Sequence, residues 1–363
     1  MNIMTIKLIG IGGMGLMLSP SAKHLEQGGP ACFIRIHDRG TQDARRDDCR
    51  QAWLKHGAQI VNDFNSLVGD GEFDGVVICA GKNGDDCEIF KALVPLMKNK
   101  NNGRPFILHL STVSAGFAQH AFEFTRDSGL DYANYPLTGG PLGAETANML
   151  ILASGSDSLY NRLEPTLKVI GKPKYFGAGI TAGAEVKLIG QLMVFNGLMG
   201  ISSAAALKSA CFSESLNGAS QAEFFDFLNG GAGGTRQWDV ALAKGVRDNV
   251  WDQGFMIHHA AVDAIYAAEL CRQRGLPSVA IMPMVAIALS FAFLLTKYEE
   301  SPLATHAIVR EMLTANAEEL DGYLNERINY TDPETSINNC IAALPKRVKA
   351  SVLLDIDAGS FKV

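Results

Sequence analysis

Short, continuous apolar runs punctuate the first half of the chain. Ile6 to Ile9, Cys32 to His37, Gln59 to Val61 and Val76 to Ala80 read as strands, as do Phe106 to Leu108 (leading into Leu110 to Ser114), Asp131 to Asn134, Leu150 to Ala153 and Lys174 to Phe176. Ile89 to Met97 has the spacing of an amphipathic helix. Strands that are apolar without alternation belong to parallel sheets covered on both faces. Together with intervening helical stretches they predict an α/β domain over residues 1–181. After Gly183 the strand pattern stops. Helical periodicity over 184–210, 219–229, 237–247, 256–274, 278–297, 303–324 and 334–350 predicts an all-α domain over 182–363, joined to the first by the long helix at its start. The more polar patterns after residue 300 are expected to pack on that helical domain.

The first strand runs into Gly10-Ile11-Gly12-Gly13-Met14-Gly15, a G-x-G-x-x-G between a strand and a helix pattern. Gly10 is expected to permit the tight turn, Gly12 to let backbone approach a pyrophosphate, and Gly15 to let the helix pack close to the sheet. The helix N-terminus would then offer N–H groups to the phosphates. The second strand ends at Asp38, 23 residues after Gly15, the spacing of a ribose 2′-OH acceptor. The two signals together predict a Rossmann-type domain binding NAD; Arg39, next in the chain, could hold a 2′-phosphate and leaves NADP open. Ala80 and Gly81 end the fourth strand, on the edge where ligands of such sheets lie. Ser111 and Thr112 could bond a cofactor or cap the next helix. Pro20 falls inside the expected first helix and should kink it or shift its start.

Two further features carry chemistry. Thr138-Gly139-Gly140 leaves backbone N–H groups unobstructed, as in an anion-binding nest, although a plain turn would look the same. Then, in the stretch 177–206, glycines at 177, 179 and 183 give a loose entry to a long helix pattern, apolar on nearly every face, whose charged residues are Glu185 and Lys187. A lysine in a buried helix either snorkels to the surface or has a task.

Composition narrows the classes. The 363 residues are 47% hydrophobic and carry a net charge of −6 without a basic block, which argues against nucleic acid. Seven cysteines with no C-x-x-C pair read as reduced core thiols of a cytoplasmic protein. Met1 runs almost directly into the first strand, so no signal peptide is expected. Val279 to Thr296 is nearly all apolar but contains Pro283, and reads as a core helix of a homodimer or larger homo-oligomer rather than a membrane span.

The order of these pieces resembles the β-hydroxyacid dehydrogenase family, which includes 3-hydroxyisobutyrate dehydrogenases and tartronate semialdehyde reductases. The resemblance covers about residues 3 to 295. It rests on the glycine loop, on Ser111-Thr112-Val113-Ser114, on Tyr135-Pro136-Leu137-Thr138-Gly139-Gly140 and on Gly183-Ala184-Glu185-Val186-Lys187. The family's D-x-P motif aligns with Asp131 only if three residues are inserted before Pro136. The resemblance implies a dehydrogenase of small 3-hydroxy acids or their semialdehydes. Lys187 would be the general acid/base. Thr138, Gly139, Gly140 and Gln191 would bind substrate, and Asp263 would lie at the cofactor. The family's second lysine is replaced here by Val262, with His258 and His259 one turn earlier as substitutes. Three other readings stay open: an imine reductase, which usually lacks the lysine, a decarboxylating sugar-acid dehydrogenase, whose usual K-x-x-H-N pattern after the lysine is absent here, and a dinucleotide-binding regulator without turnover.

Overall fold

The computed structural model describes residues 5–25, 28–40, 43–98, 104–299 and 301–361. The chain divides into a first unit, Met1–Lys187 with Leu353–Val363, and a second, Leu188–Val352.

In the first unit the strands are β1 (Ile6–Ile11), β2 (Ala31–His37), β3 (Gln59–Val61), β4 (Gly75–Ile78), β5 (Phe106–His109) and β6 (Asp131–Asn134), followed by β7 (Leu137–Thr138), β8 (Met149–Ala153) and β9 (Gly171–Tyr175). The first six form one parallel sheet in the order β3-β2-β1-β4-β5-β6. The last three form a second sheet, in which β7 is antiparallel and β9 parallel to β8. The two-residue β7 carries no periodic signal, and the sequence pattern misses it. Successive residues of the central strands enter opposite cores, as the period of two requires. Leu8, Val77 and Leu108 join one cluster with Phe33 and Trp53, while Ile9, Val76, Ile78 and Ile107 join another with Phe90 and Phe117.

The helices of this unit are α1 (Ser21–His24), α2 (Ala44–His56), α3 (Phe64–Val68), α4 (Asn83–Lys98), α5 (Ala115–Asp127), α6 (Gly140–Glu145) and α7 (Asp157–Ile170), followed by α8 (Ala182–Phe212), which continues into the second unit. Side-chain caps fix several starts: Asp43 accepts from Arg46 N, Ser114 from Phe117 N and Ser156 from Leu159 N. The helix expected straight after the glycine loop is not there. Residues 12–20 form successive turns, and α1 is a four-residue helix that begins directly after Pro20. Proline has no N–H to give and crowds the preceding turn, so the helix starts after it.

The second unit contains the rest of α8 and, among its described residues, only helices and one isolated bridge, Met256 to Ala304. These are α9 (Ala219–Asn229), a π-helical turn (Trp238–Leu242), α10 (Ala243–Asp248), α11 (Ile257–Gln273), α12 (Ser278–Lys297), a 3-10 segment (Thr305–Met312), α13 (Ala317–Asn325), α14 (Pro333–Ala343) and α15 (Lys346–Val352). Pro345 separates the last two, where one helix was expected over 334–350. Helices α8 and α12 are both long and apolar enough to cross a membrane, but the apolar window of α12 is 72% buried inside the protein, as in a core helix. The cysteines are all free; Cys211 is exposed rather than a core thiol.

The chain does not divide at 181/182 as expected. The boundary falls within α8, after Lys187, and residues 353–363 return to the first unit. Cys87 Sγ donates to Ser360 O at 3.1 Å and Asn83 Nδ2 to Leu353 O at 2.9 Å. Phe361 is 1% exposed, with its ring 5.4 Å from those of both Phe117 and Phe124. An aromatic slot between α4 and α5 is thereby filled from a distant part of the chain. Phe361→Ala should destabilise the first unit by about 3–5 kcal/mol. The loss should appear as faster hydrogen exchange of α4 and α5 amides, with α11 and α12 protected as before.

Candidate active site

The loop after β1 is held from behind by α2. Trp53, fully buried on an otherwise polar helix, donates from Nε1 to Gly13 O at 2.8 Å, and Arg45 donates to Met14 O at 2.8 Å. Met14 itself is buried in the core. The left-handed residue of the turn is Gly12 (φ 84°) rather than Gly10, which lies within β1 against Ile36 and Phe33. A Cβ on Gly12 would fall 2.0 Å from Cys79 O, so the loop and the end of β4 touch backbone to backbone. Gly15 closes the turn by donating to Gly12 O at 2.8 Å, instead of seating a helix on the sheet. Ile11 is buried in the strand end.

Asp38 lies just past β2 and is 5% exposed. Its Oδ1 accepts from Gly40 N at 3.1 Å and its Oδ2 from Arg50 Nε at 2.6 Å. Burial would raise this carboxyl. The bonds from Arg50 and Gly40, with the charges of Arg50 and Arg46, outweigh burial and hold it below the usual carboxylate range. Arg39 points outward and is exposed. Ala80 is exposed and Gly81 half-buried after β4. Ser111 does not cap: its Oγ accepts from Ala80 N at 3.2 Å, and the cap of α5 is Ser114. Thr112 is half-buried beside it. Gly12, Asp38, Ala80 and Thr112 thus all lie at carboxyl ends of parallel strands, around the β1/β4 pair where the strand order reverses. Such a crevice accepts a dinucleotide. The fit lacks one expected part, since α1 is too short to offer a helix N-terminus to phosphate.

The second feature is built around Asn134. Asp131, at the far end of β6, pairs with Arg104 at 2.8 Å. It is Asn134 that ends β6 two residues before Pro136, so the motif needs no insertion. Asn134 Nδ2 donates to His109 O and Ser111 O at 3.1 and 3.3 Å, tying β6 to the segment that holds Ala80. The chain then turns through Thr138 into Gly139 and Gly140, whose φ of 131° and 66° suit glycine alone. The two glycines open α6, where first-turn amides have no intrahelical acceptor. Helix α8 begins against the same backbone. Gly183 N donates to Ser154 Oγ at 2.9 Å, and a Cβ there would meet Leu152 O at 2.6 Å and Asn134 O at 2.7 Å. One turn on, Lys187 is 8% exposed.

Residues 5–190 match the family model described as the NAD binding domain of 6-phosphogluconate dehydrogenase. The chain belongs to this family. It is an oxidoreductase of the β-hydroxyacid dehydrogenase kind, and its cofactor is a nicotinamide dinucleotide. Among curated relatives, 2-(hydroxymethyl)glutarate dehydrogenase of Eubacterium barkeri is 24% identical over 182 residues, which span 50% of this chain and 57% of that protein. The structure of Mycobacterium tuberculosis 3-hydroxyisobutyrate dehydrogenase with L-serine superposes with a TM-score of 0.67 at 17% identity, over 85% of this chain and 99% of that one. A 3-hydroxyisobutyrate dehydrogenase from Salmonella typhimurium gives 0.68 at 18% identity, covering 84% and 99%. These structural likenesses establish the fold.

In the helical unit of this dehydrogenase, Gln191 and Asp263 meet. Gln191 Nε2 donates to Asp263 Oδ2 at 2.6 Å, and both are buried. Val262, at the position of the family's second lysine, is fully buried. The rings of His258 and His259 lie 4.0 Å apart, tilted by 49°, half-buried and exposed respectively. No group of three metal-ligating side chains occurs among the described residues. Sequence reasoning missed Trp53, Arg45, Arg50 and Asn134. A lone tryptophan on the polar helix 44–56 was the available signal for the first.

Because its folded value is depressed, Asp38 contributes stability that is present above its unfolded pKa (about 3.9) and is lost as pH falls through the lower folded value. Arg50→Ala leaves the carboxyl buried without its main partner. Its acid limb of thermal stability should move to higher pH. Melting curves of variant and parent, taken from neutral pH downward, would refute this if the two limbs coincide.

Proposed function

We propose that the protein oxidises a small 3-hydroxy acid, or reduces the matching semialdehyde, with Lys187 as general acid/base. The observation that supports this most is the wedging of Gly183 against the Leu152 and Asn134 carbonyls. It starts the helix of Lys187 on the segment that leads, four residues past Asn134, to Thr138-Gly139-Gly140. The Thr138 hydroxyl and the Gly139 and Gly140 amides hold the substrate carboxylate. Lys187 Nζ takes the hydroxyl proton in oxidation and returns it in reduction. When bound, the nicotinamide supplies the hydride acceptor or donor. Asp263 serves as a positioning residue: by accepting from Gln191 it fixes an amide on α8 one turn beyond Lys187. NAD is the preferred cofactor, because the ionised Asp38 carboxylate keeps lone pairs for a ribose hydroxyl and repels a 2′-phosphate. The names of the relatives direct the substrate panel to 3-hydroxyisobutyrate, 2-(hydroxymethyl)glutarate and L-serine.

Lys187→Ala should lower kcat by about 10²–10⁴-fold while leaving NADH affinity unchanged. Cofactor reduction measured across the panel tests both parts. Turnover retained in the variant would remove Lys187 from the chemistry. Tight cofactor binding with no turnover of any acid by the parent would favour a regulatory role instead.

The partner in the assembly is a second copy of this chain. Exposed positions along α8 recur at 189, 193, 196, 200, 203 and 207, a seam spacing of alternating four and three residues. Ile189, Met193 and Leu207 are 54%, 75% and 64% exposed, with Gly200 and Ser203 small enough for close approach. Met193→Glu combined with Leu207→Glu should convert a dimer to monomer in light scattering. An unchanged mass would rule out this seam.

A further inference from the structure

The helical unit contains a hollow of about 740 Å³ at the far end of α8, bounded by Ala206–Ser213, by the turn that follows, and by the loops at 249–251 and 310–316. Lys187 lies about five turns earlier on the same helix, so the hollow is separate from the proposed reaction site. Its volume is within the range of roughly 300–1,000 Å³ typical of small-molecule sites.

One side chain gives the hollow its character. Arg310 lines it with its guanidinium 5.9 Å from the centroid of Trp251 and 5.5 Å from that of Tyr298. Among the described residues it donates no side-chain hydrogen bond and makes no ion pair. Both aromatic supports are themselves fixed. Trp251 Nε1 donates to Asn249 Oδ1 at 2.7 Å, and Tyr298 donates to the fully buried Glu311 at 2.6 Å. The cation is therefore held in place by rings while its donors remain unspent. The carboxylate of the lining, Glu214, is neutralised by Lys208 and bonded by Ser220 at 3.0 Å. Around Arg310 the wall presents hydroxyls of Ser213, Ser215 and Thr314, while the amide nitrogen of Asn217 donates to Gly245 O and Asn249 Oδ1 and leaves its carbonyl oxygen as acceptor. Ser213 sits at φ 53°, a conformation that serine rarely adopts, and residues held in such conformations gather at ligand clamps.

We propose that this hollow binds a small polyhydroxylated anion of sugar-acid or sugar-phosphate type. Arg310 grips the anionic head, a geometry that suits a planar fork of donors. The lining hydroxyls and the Asn217 carbonyl oxygen take the hydroxyl groups. Nothing in the reaction assigned to Lys187 uses these residues, so the site is a second one.

Calorimetric titration of the full chain without cofactor, using gluconate, glucose 6-phosphate, sorbitol and acetate separately, tests this. Gluconate or glucose 6-phosphate should bind at one site, and which of them binds tells a carboxylate head from a phosphate. Sorbitol and acetate should bind at least tenfold more weakly, since each lacks half of the recognised chemistry. Arg310→Gln should weaken the bound anion on the order of 10–100-fold, with NADH affinity unchanged. Ser213→Gly relieves the backbone conformation while removing a hydroxyl, so it should fold as well as the parent and bind a few-fold more weakly. It decides the matter if Arg310→Gln does not fold. Lys187→Ala should leave this binding intact. The proposal is overturned if neither hydroxylated anion binds, if sorbitol binds as well as they do, if Arg310→Gln or (should that variant not fold) Ser213→Gly binds like the parent, or if Lys187→Ala abolishes the binding.

Discussion

A backbone contact too close for any side chain sets the position of the helix that matters most. At Gly183 the chain passes within reach of two carbonyls, from Leu152 in the second sheet and Asn134 at the end of the first, and Ser154 receives its amide. A methyl group there would have to displace backbone rather than a flexible side chain. That contact determines where a 31-residue helix begins, and hence where Lys187 falls one turn later. Any larger residue would shift the start of the helix and with it Lys187.

The dinucleotide loop is a second case of backbone held by side chains from outside it. Its glycines are too small to fix a conformation by packing. Trp53 and Arg45 instead take the Gly13 and Met14 carbonyls, and Gly12 rests on Cys79. The usual long helix after such a loop would have done part of this by continuing the backbone ladder. With Pro20 in its place, α2 performs the task from the other side. The same helix supplies Arg50 to Asp38, so one element governs both the glycine loop and the buried acid after β2.

Much of this was legible in the chain. β3 and β6, α9 and α12 have the limits that apolar runs and periodicity indicate. The family could be read from the glycine loop, the paired glycines at 139–140 and the lysine at 187. Other features were not legible, for physical reasons. Asp131 looked like the motif acid because it is charged, yet a strand places Asn134, not Asp131, at the loop end. The Gln191–Asp263 bond joins residues 72 apart, with no local pattern to announce it. Pro20 announced trouble in the first helix, but only the packing of α2 could show what replaces it. Arg310 stood in a stretch that read as polar helix, and the rings beneath it come from Trp251 and Tyr298, far apart in sequence.

The return of residues 353–361 to the first unit bears on how the chain matures. The aromatic slot formed by Phe90, Phe117 and Phe124 lies in the part synthesised first, while the ring that fills it follows the entire helical unit. Domains ordinarily fold in order of emergence from the ribosome. Here the nucleotide-binding unit cannot finish its core until translation has passed the helices. An incomplete chain would leave that slot open, available to chaperones or to self-association, and competence to bind cofactor would coincide with completion of the helical half.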